Sequence, residues 1–138
     1  MTTQWAHLPN AAHIDRILVS LQENPDHWNE ADVMRGNQWD KSWWTVRHEL
    51  LKQQRYAAWD AAWRAAWNTP PTMAQLEVRA KVQDVVLGAV IALVVYDDCA
   101  YMLDSDPGEL AILAAFGDPR AILLLSACNT FHSLKEIA

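Results

Sequence analysis

Cys128 and His132 stand four residues apart, a spacing that places two side chains on one face of a helix. A thiol beside an imidazole is the pair that a cysteine nucleophile uses, and the same pair joined by Cys99 or Asp98 is a partial metal-ligand set. A metal site needs four ligands in the proper geometry, and an apolar surround raises the pKa of a thiol. The pattern therefore favours packed helix residues over a metal site or a nucleophile, and no cofactor is expected.

Asp97 and Asp98 follow the most apolar stretch of the chain. Neighbouring residues on a helix point about 100° apart, so only one of the two carboxylates can face a cleft. A buried Asp98 would have a raised pKa and could act as a general acid or base, whereas a structural aspartate would simply bond to a tyrosine or an arginine. An enzyme would need a pocket that joins Asp98 to Tyr101, Cys128 and His132. An enzyme with such a pocket is one alternative, but the sequence favours a non-enzymatic protein.

Aromatic residues recur at helical spacing in the stretch 56–67, as Tyr56, Trp59, Trp63 and Trp67. Indoles four residues apart are displaced by about 40° around a helix axis, so they form one stripe. A second apolar face of the same predicted helix, at seven-residue spacing, carries Trp44, Leu51, Ala58 and Ala65. Tryptophans at such spacing are more often buried in a core. A helix with two apolar faces, however, needs two neighbouring surfaces to bury them. The stripe is therefore the predicted contact with a partner or with a second copy of the chain.

The formal net charge of −6 lies entirely in the C-terminal part of the chain. Residues 1–82 hold nine acidic and nine basic side chains, whereas residues 83–138 hold eight acids against Arg120 and Lys135. Most of the acids fall between residues 97 and 109, and Asp104, Asp106 and Glu109 complete the predicted partner-binding set. A solvated helix end is the simpler interpretation. The alternative is a contact with a basic protein surface, and direct binding of nucleic acid is not expected.

Helical periodicity dominates the chain, which predicts an all-α fold: one domain over residues 1–138, a compact bundle of about five helices around a central hydrophobic helix. Asn10 is a candidate N-cap for the first helix, and Trp28 is expected to pin the following loop to the core. Aspartate N-caps followed by proline predict two further helix starts, at Asp106 and Asp118. Gly88 is expected to mark a close helix crossing. The predicted helices run from Asn10 to Pro25, from about 40 to 68, from about 73 to 105, from 110 to 116 and from 121 to about 134.

The longest apolar run, residues 85–96, is shorter than the roughly 20 residues that a membrane-spanning helix needs. Neither a secretory signal nor a lipidation motif is recognised. A cytoplasmic protein is expected, without a membrane partner.

Three segments resemble small proteins that bacteriophages and prophages encode: the Ala-Ala-Trp repeat at 57–67 and the segments 96–103 and 118–125. The resemblance implies a phage-type origin and supplies neither an activity nor site residues. It favours a non-enzymatic accessory protein that binds a host or phage protein in the bacterial cytoplasm, for example an inhibitor of a host defence or nucleic-acid-handling complex. A self-assembling structural protein is the alternative.

Overall fold

A computed structural model describes residues 4–24, 28, 37–66 and 85–136, and the regular structure of these residues is helical throughout. They include α1 (Ala11–Glu23), α2 (Asn37–Lys52), α3 (Tyr56–Ala65), α4 (85–95), α5 (Pro107–Ala115) and α6 (Pro119–Glu136). A 3₁₀ helix (Ala100–Asp104) connects α4 to α5. The predicted all-α fold is confirmed. None of the helices in these ranges is long and apolar enough to cross a membrane.

Two helices form the centre of the fold. In α4, every residue except Leu87 is buried, and in α6 the whole stretch 121–128 is buried. The two helices cross at Gly88, where an added Cβ would lie 3.3 Å from the Leu123 side chain and 3.4 Å from its carbonyl oxygen. The central helix and the close crossing at Gly88 are thus confirmed. In addition, α6 packs against α2, α5 and the 3₁₀ helix.

The C-terminal end of α4 lies against α1, where its carbonyl groups bond to a side chain. Asn10 is buried and sits at the N-cap position of α1, as predicted, but its side chain makes no capping bond. Instead, its amide nitrogen donates to the carbonyl oxygens of Leu93 and Tyr96, at 2.9 and 2.8 Å. One side chain therefore supplies hydrogen bonds to two carbonyls at the end of a helix, where the last turn leaves such groups without partners.

Two more side chains complete this helix end. The Arg55 guanidinium donates to the Val94 carbonyl at 2.9 Å and forms an ion pair with Asp97 at 2.8 Å. The Cys99 thiol lies 3.5 Å from the Ala92 carbonyl, to which it donates a weak hydrogen bond. The predicted helix over 73–105 is therefore too long, because the chain leaves the helix after residue 95. The part of that prediction at 73–84 lies outside the described residues.

The predicted single helix from about 40 to 68 is also wrong, because it breaks between α2 and α3. Gln54 has a φ of 59°, in the left-handed region. Its backbone nitrogen donates to Leu51 O and that of Arg55 to Leu50 O, each at 3.1 Å. These two bonds form a Schellman motif, which ends a helix without any proline.

The break changes which residues of α2 and α3 face the core. Trp44 and Leu51, predicted to begin an apolar seam, are 62% and 47% exposed. The core-facing residues of α2 include Val46 and Leu50 instead. The seam required one uninterrupted helical phase from residue 44 to residue 65, and the turn at Gln54 resets that phase.

The local signals at the remaining helix ends are confirmed. Asp106 accepts a hydrogen bond from the Glu109 nitrogen at 3.1 Å, and Asp118 accepts one from the Arg120 nitrogen at 3.0 Å. Gly117, at φ 89°, closes α5 in a second Schellman motif.

Trp28 is fully buried, as predicted. Its Nε1 donates to Ser20 Oγ at 3.0 Å, and its ring meets Phe131 edge-on at 5.7 Å. The other residues of the predicted loop between Asp26 and Asn37 lie outside the described ones.

Replacing Gln54 by glycine is expected to stabilise the protein by about 0.5–1 kcal/mol, because glycine carries no Cβ penalty at positive φ. The free energy of unfolding in urea measures the effect. The matched control is Gln53→Gly, one position earlier and outside the left-handed region, which should destabilise by a similar amount. Equal effects of the two substitutions would contradict the Schellman assignment.

Replacing Asn10 by alanine is expected to destabilise the protein by about 2–4 kcal/mol, because it leaves two carbonyl groups without a donor. Asn10→Asp should cost at least as much, since a carboxylate cannot donate and is repelled by the negative end of a helix. Gln22→Ala, at an exposed site on α1, serves as the control and should change the unfolding free energy by less than about 0.5 kcal/mol. Similar unfolding curves for Asn10→Ala and Gln22→Ala would rule out this role.

Candidate functional site

The structure divides the predicted aromatic stripe. Tyr56 is 45% exposed, Trp63 is half-buried, and Trp59 is buried in the core. Trp67 lies outside the described residues. The Trp59 ring packs 5.4 Å from that of Tyr56 and 6.1 Å from that of Trp43. The centre of the stripe thus holds α3 against α2 within one chain.

The aromatic contacts continue from this point toward the core. Trp43 stacks on Trp39 with ring centroids 6.0 Å apart and planes within 5° of parallel. Trp39 in turn reaches Gly88 on α4. The Nε1 of Trp59 is buried and has no hydrogen-bond partner among the described residues. Such a donor is costly to bury, and the ring contacts of Trp59 with Tyr56 and Trp43 offset this cost in part.

The predicted acidic surface is largely neutralised within the chain. Asp104 accepts two hydrogen bonds from Arg16, at 2.8 and 2.9 Å, and pairs with Lys135 at 3.3 Å. The Arg16 guanidinium holds the pKa of the Asp104 carboxyl below its usual range. Asp106 caps α5. Of the three predicted acids, only Glu109 has an exposed side chain with no partner among the described residues.

The other two acids of this region are paired as well. Asp97 bonds to Arg55, and Asp98 lies 3.5 Å from Arg120 with its side chain 81% exposed. Asp98 is therefore a solvated carboxylate beside a cation.

The thiol and the imidazole that an enzyme would bring together bond to different residues. Cys128 is buried and donates to the Ser105 carbonyl at 3.3 Å, whereas His132 is exposed and lies 3.4 Å from Glu136. Burial raises the pKa of the Cys128 thiol and raises that of Cys99 to about 12. Neither thiol is activated for attack, because the thiolate is the nucleophile. Across the described ranges, no group of three His, Cys, Asp or Glu side chains is arranged to hold a metal ion.

The clearest exposed apolar surface is one face of α5 together with the C-cap residue of that helix, Phe116. We call it the α5 ridge: Glu109, Ile112, Leu113 and Phe116. Their spacing of three, four and seven residues places them on one side of the helix. Ile112 is 58% exposed, Leu113 40% and Phe116 86%. The buried residues of α5, Leu110 and Ala114, lie on the opposite side. This helix therefore turns an apolar face to solvent.

The sequence interpretation included Glu109 but missed the three apolar residues of the α5 ridge. The signal was present, because an apolar stripe follows the acid at helical spacing. Leu110 and Ala114 form a second such stripe, however, and the sequence alone does not say which of the two faces the core.

Comparison of the chain with protein-family models, with curated proteins and with solved structures gave no match. The functional interpretation accordingly rests on the surfaces described above.

Both thiols are expected to resist thiol–disulfide exchange in the folded protein at pH 7–9, because burial keeps them protonated and out of reach of the reagent. Their rates should be on the order of a hundredfold below those in denaturant, as followed with a chromogenic disulfide reagent. An added thiol at the exposed neighbour, Asn129→Cys, is the control and should react rapidly. If native Cys128 reacted as fast as the added thiol, that result would support the interpretation of Cys128 as a nucleophile.

Proposed function

We propose that the protein is a non-enzymatic accessory protein that acts by binding another protein through the α5 ridge. The observation that carries this proposal is the exposure of Ile112, Leu113 and Phe116 on a single helix face, with Phe116 86% exposed. Scattered apolar residues on a surface need no explanation, but a contiguous apolar stripe on one helix is typical of a contact surface.

The α5 ridge is also held rigidly. The helix is anchored in the core by Leu110 and Ala114 and is closed at its two ends by the Asp106 cap and the Gly117 turn. Little conformational entropy is lost when such a surface binds, so more of the burial energy appears as affinity. Fully burying one side chain of this size contributes about 1.5–3 kcal/mol.

The charge around the α5 ridge indicates the chemistry of its partner. Glu109 is unpaired within the described part of the chain, and no lysine or arginine occurs between residues 105 and 119. A complementary surface would be an apolar groove with basic residues at its edge. Proteins that handle nucleic acids carry basic surfaces, so the finer proposal is a phage-type inhibitor of a host defence or nucleic-acid-handling complex.

The test is an affinity pull-down from bacterial lysate, followed by measurement of the affinity for the purified captured protein. Phe116→Ser and Ile112→Ser are each expected to weaken binding about 10-fold to 100-fold, as follows from the loss of one buried apolar side chain. The matched control is Val19→Ser, which replaces an exposed valine on α1 and should leave the affinity unchanged.

Three results would decide against the α5 ridge. A captured protein that binds Phe116→Ser and Ile112→Ser with unchanged affinity would contradict the proposal. Binding that persists in these variants but is lost in Trp63→Ala would place the contact on the aromatic stripe. Binding that is lost equally in Val19→Ser would show a general effect on the protein surface.

A further inference from the structure

The outward face of α2 is a second exposed apolar surface. Lys41, Trp44, His48 and Leu51 fall within an arc of about 80° around the helix axis and are exposed. We call these four residues the α2 ridge. Its two apolar members, Trp44 and Leu51, are 62% and 47% exposed. An exposed tryptophan is the residue type most enriched at binding hot spots.

The α2 ridge carries the opposite charge to the α5 ridge. Lys41, Arg47 and Lys52 lie on or beside it, against Asp40 on the same side and Glu49, whose carboxylate is 3.9 Å from the Lys52 Nζ. The net charge of this surface is therefore positive. The Arg47 guanidinium is 5.6 Å from the centroid of the Trp44 ring, so that a cation and an aromatic surface are presented together. The chain therefore bears one apolar ridge with cations and another with an unpaired carboxylate.

We propose that the α5 ridge of one copy docks on the α2 ridge of a second copy, so that the chain associates head to tail. The apolar residues of the two ridges bury one another, and Glu109 meets Lys41 or Arg47. This inference rests on the proposed function in one respect, namely that the α5 ridge is a docking surface. It adds a second copy of the chain as the occupant of this surface, and another protein would have to displace that copy.

Charge distinguishes this arrangement from the two symmetric ones. Because Lys52 already pairs with Glu49, two α2 ridges in contact would bring together Lys41 and Arg47 of both copies against one Asp40 from each. Two α5 helices in parallel would place their Glu109 carboxylates side by side, and in antiparallel packing each carboxylate would approach the negative end of the other helix. Of the three arrangements, only the contact between an α5 ridge and an α2 ridge brings together surfaces of opposite net charge.

A contact between two different surfaces leaves one ridge free on each terminal copy, so association continues into open chains or closes into a ring. Light scattering should therefore give an average mass above the 15.6 kDa of one chain. The mass should rise with protein concentration into the range of about 0.1 mM. It should fall when salt is raised from about 0.05 to 0.5 M, because screening weakens the charged contacts.

Two variants test the pairing of the ridges. Phe116→Ser removes the α5 ridge and Trp44→Ser removes the α2 ridge, and each protein alone is expected to be monomeric. Mixed in equal amounts, they should form a complex of two chains, because each retains the ridge that the other lacks. Val19→Ser, the control on α1, should keep the wild-type mass. All three positions are exposed, and circular dichroism verifies that the helices are retained.

The outcomes separate this inference from the proposed function. A wild-type mass of one chain up to about 1 mM overturns the inference and leaves the binding of another protein intact. Monomeric variants whose mixture stays monomeric also overturn it. So does a single variant that still associates on its own, since a symmetric contact of one ridge would leave the variant of the other ridge associated. A mixture that forms the two-chain complex supports it, even where the pull-down captures no other protein.

Discussion

The fold depends on how the C-terminal end of α4 is closed. A helix leaves its last carbonyl groups without intrahelical partners, and water normally supplies the missing hydrogen bonds. Here the last turn is buried, so those groups need donors from within the protein. Asn10 provides them from the N-cap of α1, and Arg55 provides one from the turn between α2 and α3. The end of one helix therefore fixes the positions of two distant segments.

The turn at Gln54 positions one of these donors, Arg55. Its left-handed backbone costs about 1 kcal/mol, which the two hydrogen bonds of the Schellman motif offset in part. The same turn places Arg55 in front of α3, where its guanidinium reaches both Val94 and Asp97. The bond to the Val94 carbonyl contributes about 1.5–3 kcal/mol and the exposed ion pair with Asp97 about 0–1 kcal/mol, so the strain and the capping belong to one arrangement.

Whether a feature of the fold could be predicted from the sequence depends on whether the residues that decide it are near or far along the chain. The caps at Asp106 and Asp118 and the glycine turn at Gly117 were predictable, because each is decided by residues within one turn. The end of α4 was not, because it is decided in part by Asn10, which lies 83 residues from Leu93. The break at Gln54 carries neither glycine nor proline and gave no signal.

The candidate site shows a related limit. Four-residue spacing identified the aromatic stripe correctly as one helix face, but spacing alone cannot say whether a face is covered. Trp59 is buried because Trp43 on the neighbouring helix meets it, and that contact depends on the unpredicted break. Conversely, α4 and α6 fill the centre so fully that α5 needs only Leu110 and Ala114 to close it. The apolar residues on its other side are surplus to the core.

Because the core does not need these residues, the effect of a substitution on binding can be separated from its effect on folding on the α5 ridge. Exposed side chains such as Phe116 lose little buried area when they are replaced, so a change in binding there reports on the contact itself. Trp59 behaves in the opposite way, since its loss would open the packing between α2 and α3 and make any loss of binding ambiguous. Replacing Asp104 would likewise remove ion pairs to Arg16 and Lys135. Among the acids that the sequence marked, Glu109 alone can change without losing a side-chain contact to the described residues, and it lies on the α5 ridge.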